Sequence, residues 1–156
     1  MRLAHSITVS VFVKPEENAE NVRSSFIALF PFDLQKEKIV VASEKATSFE
    51  DRSITILTLR LLKESHVRLF LAHLLKQLTK NEQEELYLQR ESRLGEDLQF
   101  YIRLDKNAVQ NRIFKLTDKG NCVHIRIAIA AYPKKREVAL GVLEKIFKEE
   151  LGASVV

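Results

Sequence analysis

Ile7, Val9, Val11 and Val13 alternate with Thr8, Ser10, Phe12 and Lys14 near the start of the chain. A period of two is that of a strand with one face buried. Pro15 closes it. Over 16–29 the period turns helical: Ala19, Val22, Phe26 and Leu29 form one stripe, and acidic residues fill the first turn, where the helix dipole favours them. Pro31 ends that helix, because its ring breaks the hydrogen-bond ladder. Two strands follow, over 38–43 and Ser53–Leu61, joined by a polar stretch over 44–52. In the second, Leu57, Leu59 and Leu61 share one face, and Ile54, Ile56, Thr58 and Arg60 the other.

The clearest helix spans 64–79, with Val67, Phe70, Leu71, Leu74 and Leu78 on one side. Asn81 is the expected cap of a second helix that runs to about Arg93 and stops near Gly95. Over 98–104, Leu98, Phe100, Ile102 and Leu104 face inward, and Gln99, Tyr101 and Arg103 outward. Asp105 is placed to cap one or two helical turns through Asn111. Segments 113–117 and 122–131 predict a hairpin turning at Asp118, Lys119, Gly120 and Asn121. A last helix covers 134–151, with Gly152 as its terminating residue.

The order is thus β-α-β-β-α-α-β-short helix-β-β-α, without repeat, low-complexity run or Pro/Gly-rich linker. It predicts a single α+β domain over 1–156: one mostly antiparallel sheet with helices packed on one face. The other face is left for solvent or a partner, and function is to be sought there.

With 156 residues, 46% of them hydrophobic and 29% charged, the chain can bury a core without staples. A single cysteine allows no intramolecular disulfide and fits a reducing compartment. No run approaches the ~20 apolar residues of a membrane span, and no secretory leader is visible. The expectation is a cytoplasmic protein with no membrane partner.

Charge is unevenly spread. Over 98–136 nine basic residues face only Asp105 and Asp118, a net of +7, whereas the whole chain carries +4. Concentrated Lys and Arg are a general route to a phosphate backbone, because neutralising phosphates releases counterions. On the outward face, Tyr101, Arg103, His124 and Arg126 share the non-core alternation with Phe12 and Lys14. Rings interleaved with cations suit single-stranded RNA: bases stack while guanidinium groups hold phosphates. Lys106, Arg112 and Lys115 extend the basic region. Lys134, Lys135 and Arg136 follow Pro133 in the expected first turn of the last helix, where cations oppose the dipole but backbone N–H groups can take an anion. The plain alternatives are a solvated basic turn, and an outward face covered by a second copy of the chain, for which Phe12, Ala128 and Ala130 are suitable.

Catalysis finds little support. His5, His66, His73 and His124 have no metal-ligand spacing, Cys122 has the sequence context of a buried thiol, and the four glycines form no phosphate-cradling loop. No catalytic residue, metal site or cofactor is expected. The remaining enzymatic option is a site assembled from distant residues, such as His124 with Arg103.

Three strings carry a resemblance: FYIRLDKNA at 100–108, VHIRI at 123–127 and AYPKKRE at 131–137. Together they resemble an archaeal family described as RNA-binding and as a predicted exosome subunit. Arg103, Leu104, Asp105 and Lys106 match its central signature, and Tyr132, Pro133, Lys135 and Arg136 its second. Asn107 stands where that family more often has Gln. The resemblance implies a fold similar to the large-subunit ribosomal protein that binds five-S ribosomal RNA. The reading is a non-catalytic domain that binds RNA, single-stranded or structured, with Tyr101, Arg103, Lys106, Arg112, Lys115, His124, Arg126, Lys134, Lys135 and Arg136 as contacts. Its partners would be an RNA-processing complex or the ribosome, with a homodimer also open. The alternative is a protein–protein adaptor that docks a basic partner on the acidic helix over 81–93 and dimerises through the open face.

Overall fold

The structure, a computed structural model, describes residues 2–47 and 50–151. Among these, the elements are β1 (Ala4–Val13), α1 (Ala19–Ile27), β2 (Ala42–Thr47), β3 (Ser53–Leu61), α2 (Glu64–Gln77), α3 (Lys80–Leu88), α4 (Arg90–Arg93), β4 (Gln99–Asp105), α5 (Lys106–Gln110), β5 (Cys122–Ile129) and α6 (Arg136–Leu151). The five strands form one antiparallel sheet in the order β2-β3-β1-β5-β4. The helices pack on one side of it, as expected of this α+β class. Gly152 lies outside the described residues.

The alternation read from the sequence sets which side is covered. Ile7, Val9 and Val11 of β1, Leu57, Leu59 and Leu61 of β3, Phe100, Ile102 and Leu104 of β4, and Val123, Ile125, Ile127 and Ile129 of β5 are all buried. They meet α1, α2 and α6 through Val22, Phe26, Phe70, Leu74, Leu143 and Phe147. Phe30 stacks on Phe70 with ring centroids 5.1 Å apart, and Phe100 meets Phe147 edge-on at 6.4 Å. Four phenylalanines, Phe26, Phe70, Phe100 and Phe147, are fully buried, and side chains of that size dominate core energetics.

The structure moves several expected boundaries. β2 forms at Ala42–Thr47 rather than 38–43, because 33–39 are folded into turns. There the Asp33 carboxylate accepts the Lys36 N–H, Lys38 sits at φ 59°, and Ile39 donates to the Leu34 carbonyl at 2.8 Å. β2 is an edge strand of mostly exposed polar residues, and its pairing with β3, not its own alternation, defines it. α1 starts at Ala19, capped by Asn18, rather than at Glu16. The expected helix over 81–93 is two helices broken at Gln89. Its cap is Thr79, which shares a capping box with Glu82, and not Asn81.

The expected 113–117/122–131 hairpin does not form. β5 is the more apolar strand and lies between β1 and β4, where both its edges are paired. Segment 113–117 runs along the outer edge of β4 instead. Asp105 N–H donates to Lys115 and Thr117 N–H to Arg103, at 2.8 and 3.0 Å, with Leu104 and Leu116 bridged. The Glu82 carboxylate accepts the Leu116 N–H at 2.7 Å and ties this edge to α3.

Asp105 is the N-cap of α5, its carboxylate accepting the Ala108 N–H at 2.9 Å. Loss of a cap of this kind costs ~0.5–2 kcal/mol. Asp105→Ala should therefore lower the unfolding free energy by that amount in a urea titration. An unchanged midpoint would contradict the assignment.

Candidate nucleic-acid interface

The side of the sheet away from the helices carries two ordered rows. Strand register puts Tyr101 opposite Arg126, Arg126 opposite Thr8, and Thr8 opposite Arg60. The next row runs Arg103, His124, Ser10, Thr58 and Ala42 across all five strands. Neighbouring strands lie ~4.8 Å apart and same-face residues ~6.7 Å apart along a strand. Three guanidinium groups, two rings and several hydroxyls thus share one surface. Phe12 lies one step further along β1, 45% exposed, its ring 6.4 Å from that of His124.

Arg60, Arg103 and Arg126 are exposed, and no carboxylate pairs with them among the described residues. Arg103 makes one long contact to the Asp118 carbonyl, 3.4 Å. Tyr101 is oriented by its hydroxyl, which donates to Asp97 at 3.0 Å; that bond and burial raise the phenol pKa. Burial, then the charges of Arg103 and Arg126, push the His124 imidazole below its ordinary value of 6.5. The Cys122 Sγ lies 3.5 Å from His124 Nε2, and burial pushes this thiol up. A protonated thiol is a poor nucleophile. The chemistry of this face is therefore cationic and stacking: it can hold phosphates and bases.

Of the ten expected contacts, Tyr101, Arg103, His124 and Arg126 come together on this face. Lys115 is exposed on the segment that flanks β4, and Arg112 is exposed at φ 63° beside α5. Lys134 and Lys135 are exposed beyond the opposite end of the sheet. One expectation is corrected. Lys106 is 2% exposed, its ammonium donating to the Phe12 carbonyl and, at 2.6 Å, to Glu17. It is an internal tie between α5 and β1, closed to a ligand. Burial raises the Glu17 pKa, but hydrogen bonds from Lys106 and the Lys14 N–H outweigh it and hold that carboxylate low. Arg136 donates to the carbonyls of Leu94, at 2.8 Å, and Glu91, which fixes the start of α6 against the end of α4. Lys134 and Lys135 precede that helix rather than forming its first turn.

Two residues escaped the sequence reading. Arg60 joins the first row once β3 pairs with β1; its outward parity was the signal. Arg93 donates to the Tyr101 carbonyl at 3.2 Å and braces the β4 edge, and nothing local in the sequence marks it.

The sequence model of a family described as RNA binding matches residues 6–129. The chain belongs to this RNA-binding family. The match takes in both rows of the open face and ends before Tyr132. A relative from Pyrococcus abyssi, the RNA-binding protein PAB1135, is 25% identical over 137 residues, 88% of this chain and 89% of that protein. The crystal structure of AF2318 from Archaeoglobus fulgidus is similar at a TM-score of 0.82 and 26% identity, covering 92% of this chain and 99% of that one. The structure of Mth689 from Methanothermobacter thermautotrophicus, described as a DUF54 protein, gives 0.74 and 26%, covering 93% and 98%. Among the described residues of this family member, no helix is long and apolar enough to cross a membrane.

His124 supplies a test of the face's electrostatics. A folded-state pKa below 6.5 means the unfolded chain takes up the proton first. Stability is then full above pH ~6.5 and declines as pH falls below it, with His73, lowered by burial, acting in the same direction. An NMR titration should place the His124 midpoint below 6.5. Arg103→Gln should raise it only in part, since burial is the larger cause. A midpoint above 6.5 in the parent would overturn the description.

Proposed function

We propose that this chain is a non-catalytic, cytoplasmic RNA-binding domain whose uncovered sheet face takes single-stranded segments of RNA, in RNA processing or ribosome function. The observation that carries the reading is the pair of cross-strand rows, in which Arg60, Arg103 and Arg126, without a carboxylate partner among the described residues, stand with Tyr101 and His124 on a face the helices leave open. Guanidinium groups neutralise phosphates, and rings accept the π-face of any base. Family membership and the P. abyssi relative named as an RNA-binding protein support it. The resemblance to a predicted exosome subunit and to the five-S-binding ribosomal protein supports a place in processing or in the ribosome.

Filter binding of an oligouridylate across salt concentrations tests the reading. Contact with four to six phosphates gives a log–log salt slope of about −3 to −4 for a single strand. Arg103→Ala and Arg126→Ala should each weaken binding and make the slope shallower by about 0.7. Binding that ignores salt, or none at ~50 mM salt, would refute the proposal. Loss of self-association in the same variants, seen by sedimentation, would point to the homodimer instead.

A further inference from the structure

We infer that Tyr132, with His5 behind it and Lys134 and Lys135 beside it, is a second base-stacking site that receives RNA running off the end of the sheet. The inference rests on the RNA reading of the open face. Tyr132 is 76% exposed, yet the chain around it is fixed. Ala131 before it is buried, and Ala130 N–H donates to the Leu3 carbonyl at 3.0 Å. Lys135 N–H closes a turn on the Pro133 carbonyl at 2.8 Å, and the Arg136 guanidinium is held by Leu94 and Glu91. An aromatic ring presented on a fixed turn loses little freedom when a ligand arrives.

The His5 ring meets Tyr132 edge-on, centroids 5.6 Å apart and planes at 85°, which leaves ring surface open for a base. His5 is itself anchored: Arg2 donates to the Ala4, His5 and Leu62 carbonyls, at 2.9, 2.9 and 2.6 Å. Lys134 and Lys135 are exposed and have no carboxylate partner among the described residues. A cleft of about 300 Å³ beside them is lined by Glu96, Leu98, Lys134 and Arg136, Glu96 being its one carboxylate. A fixed ring flanked by unpaired cations suits a nucleotide better than an apolar partner. Tyr132 stands six residues beyond Arg126, at most ~20 Å along the strand direction. Because Tyr132 lies past the end of β5 at Ile129, the inference has a strand of several nucleotides engage both the Arg126 row and the ring, and a dinucleotide on that row only the row.

The test is affinity across a ladder of oligouridylates, from dinucleotide to dodecamer, for the full chain and its variants. Tyr132→Ala should leave the shortest oligonucleotide unaffected and weaken the longest roughly 5- to 150-fold, the loss of one base–aromatic stack. Tyr132→Phe should bind like the parent, and a 4-thiouridine dodecamer should crosslink at Tyr132. Matching thermal melts check that the exposed substitution leaves the fold intact. Equal affinity of parent and Tyr132→Ala at every length would overturn the inference. So would an equal loss at every length, which would put the ring within the sheet site. A change seen only in sedimentation would make the turn a protein contact and also overturn it. If Tyr132→Ala weakens the dodecamer while Arg103→Ala and Arg126→Ala weaken nothing, the sheet-face reading fails, and the inference of a second site fed from the sheet falls with it. If no RNA binds at any length, both fail.

Discussion

A five-stranded sheet covered on only one side is the constraint from which the rest of this molecule follows. The central strands each turn an apolar face to the helices, and α1, α2 and α6 bury it. The polar set is left uncovered with no packing role to satisfy. Residues there are free to be chosen for a ligand, and arginines, aromatic rings and hydroxyls stand there in register, beside Ile54 and Ile56 of β3. The family match spans this same stretch, so fold and candidate interface coincide along the chain.

Basic residues divide into those that hold the fold and those that are left free. Arg2, Arg93, Lys106 and Arg136 spend donors on main-chain carbonyls, and Arg93 also on the Gln89 side chain and Lys106 on Glu17. Each ties together segments that are far apart in sequence or brace an edge. Among the described residues, Arg60, Arg103 and Arg126 have no such ties of comparable strength, and they line the open face. The string Arg103, Leu104, Asp105, Lys106 shows the division within four residues: outward to the face, inward to the core, cap of α5, and buried tie to β1. A count of positive charge over 98–136 therefore overstates what is available to a polyanion.

Much of the fold was legible wherever alternation and burial coincide. β1, β3 and β4 and the long helix α2 were read from periodicity, and the Asp105 cap from its position before a short helical run. What was not legible depends on distant partners. β2 has no face of large apolar residues and exists because β3 offers it hydrogen bonds. Segment 113–117 has strand-like composition, but the centre of the sheet goes to β5, which buries more apolar surface. Thr79 and Asn81 both suit a cap, and only the reciprocal bond with Glu82 separates them. For the candidate interface, parity showed which side chains point outward. No local pattern could show that the Lys106 ammonium reaches the Phe12 carbonyl or that Arg136 grips α4.

The central claim is that RNA lies on the uncovered sheet face, and mapping by NMR tests it most directly. Backbone amide shifts of the labelled protein are followed while a uridine octamer is added. The account predicts perturbations centred on Thr8, Ser10, Tyr101, Arg103, His124 and Arg126, with the amides of α2 unmoved. Perturbations concentrated on the helix side, with these six residues silent, would contradict it.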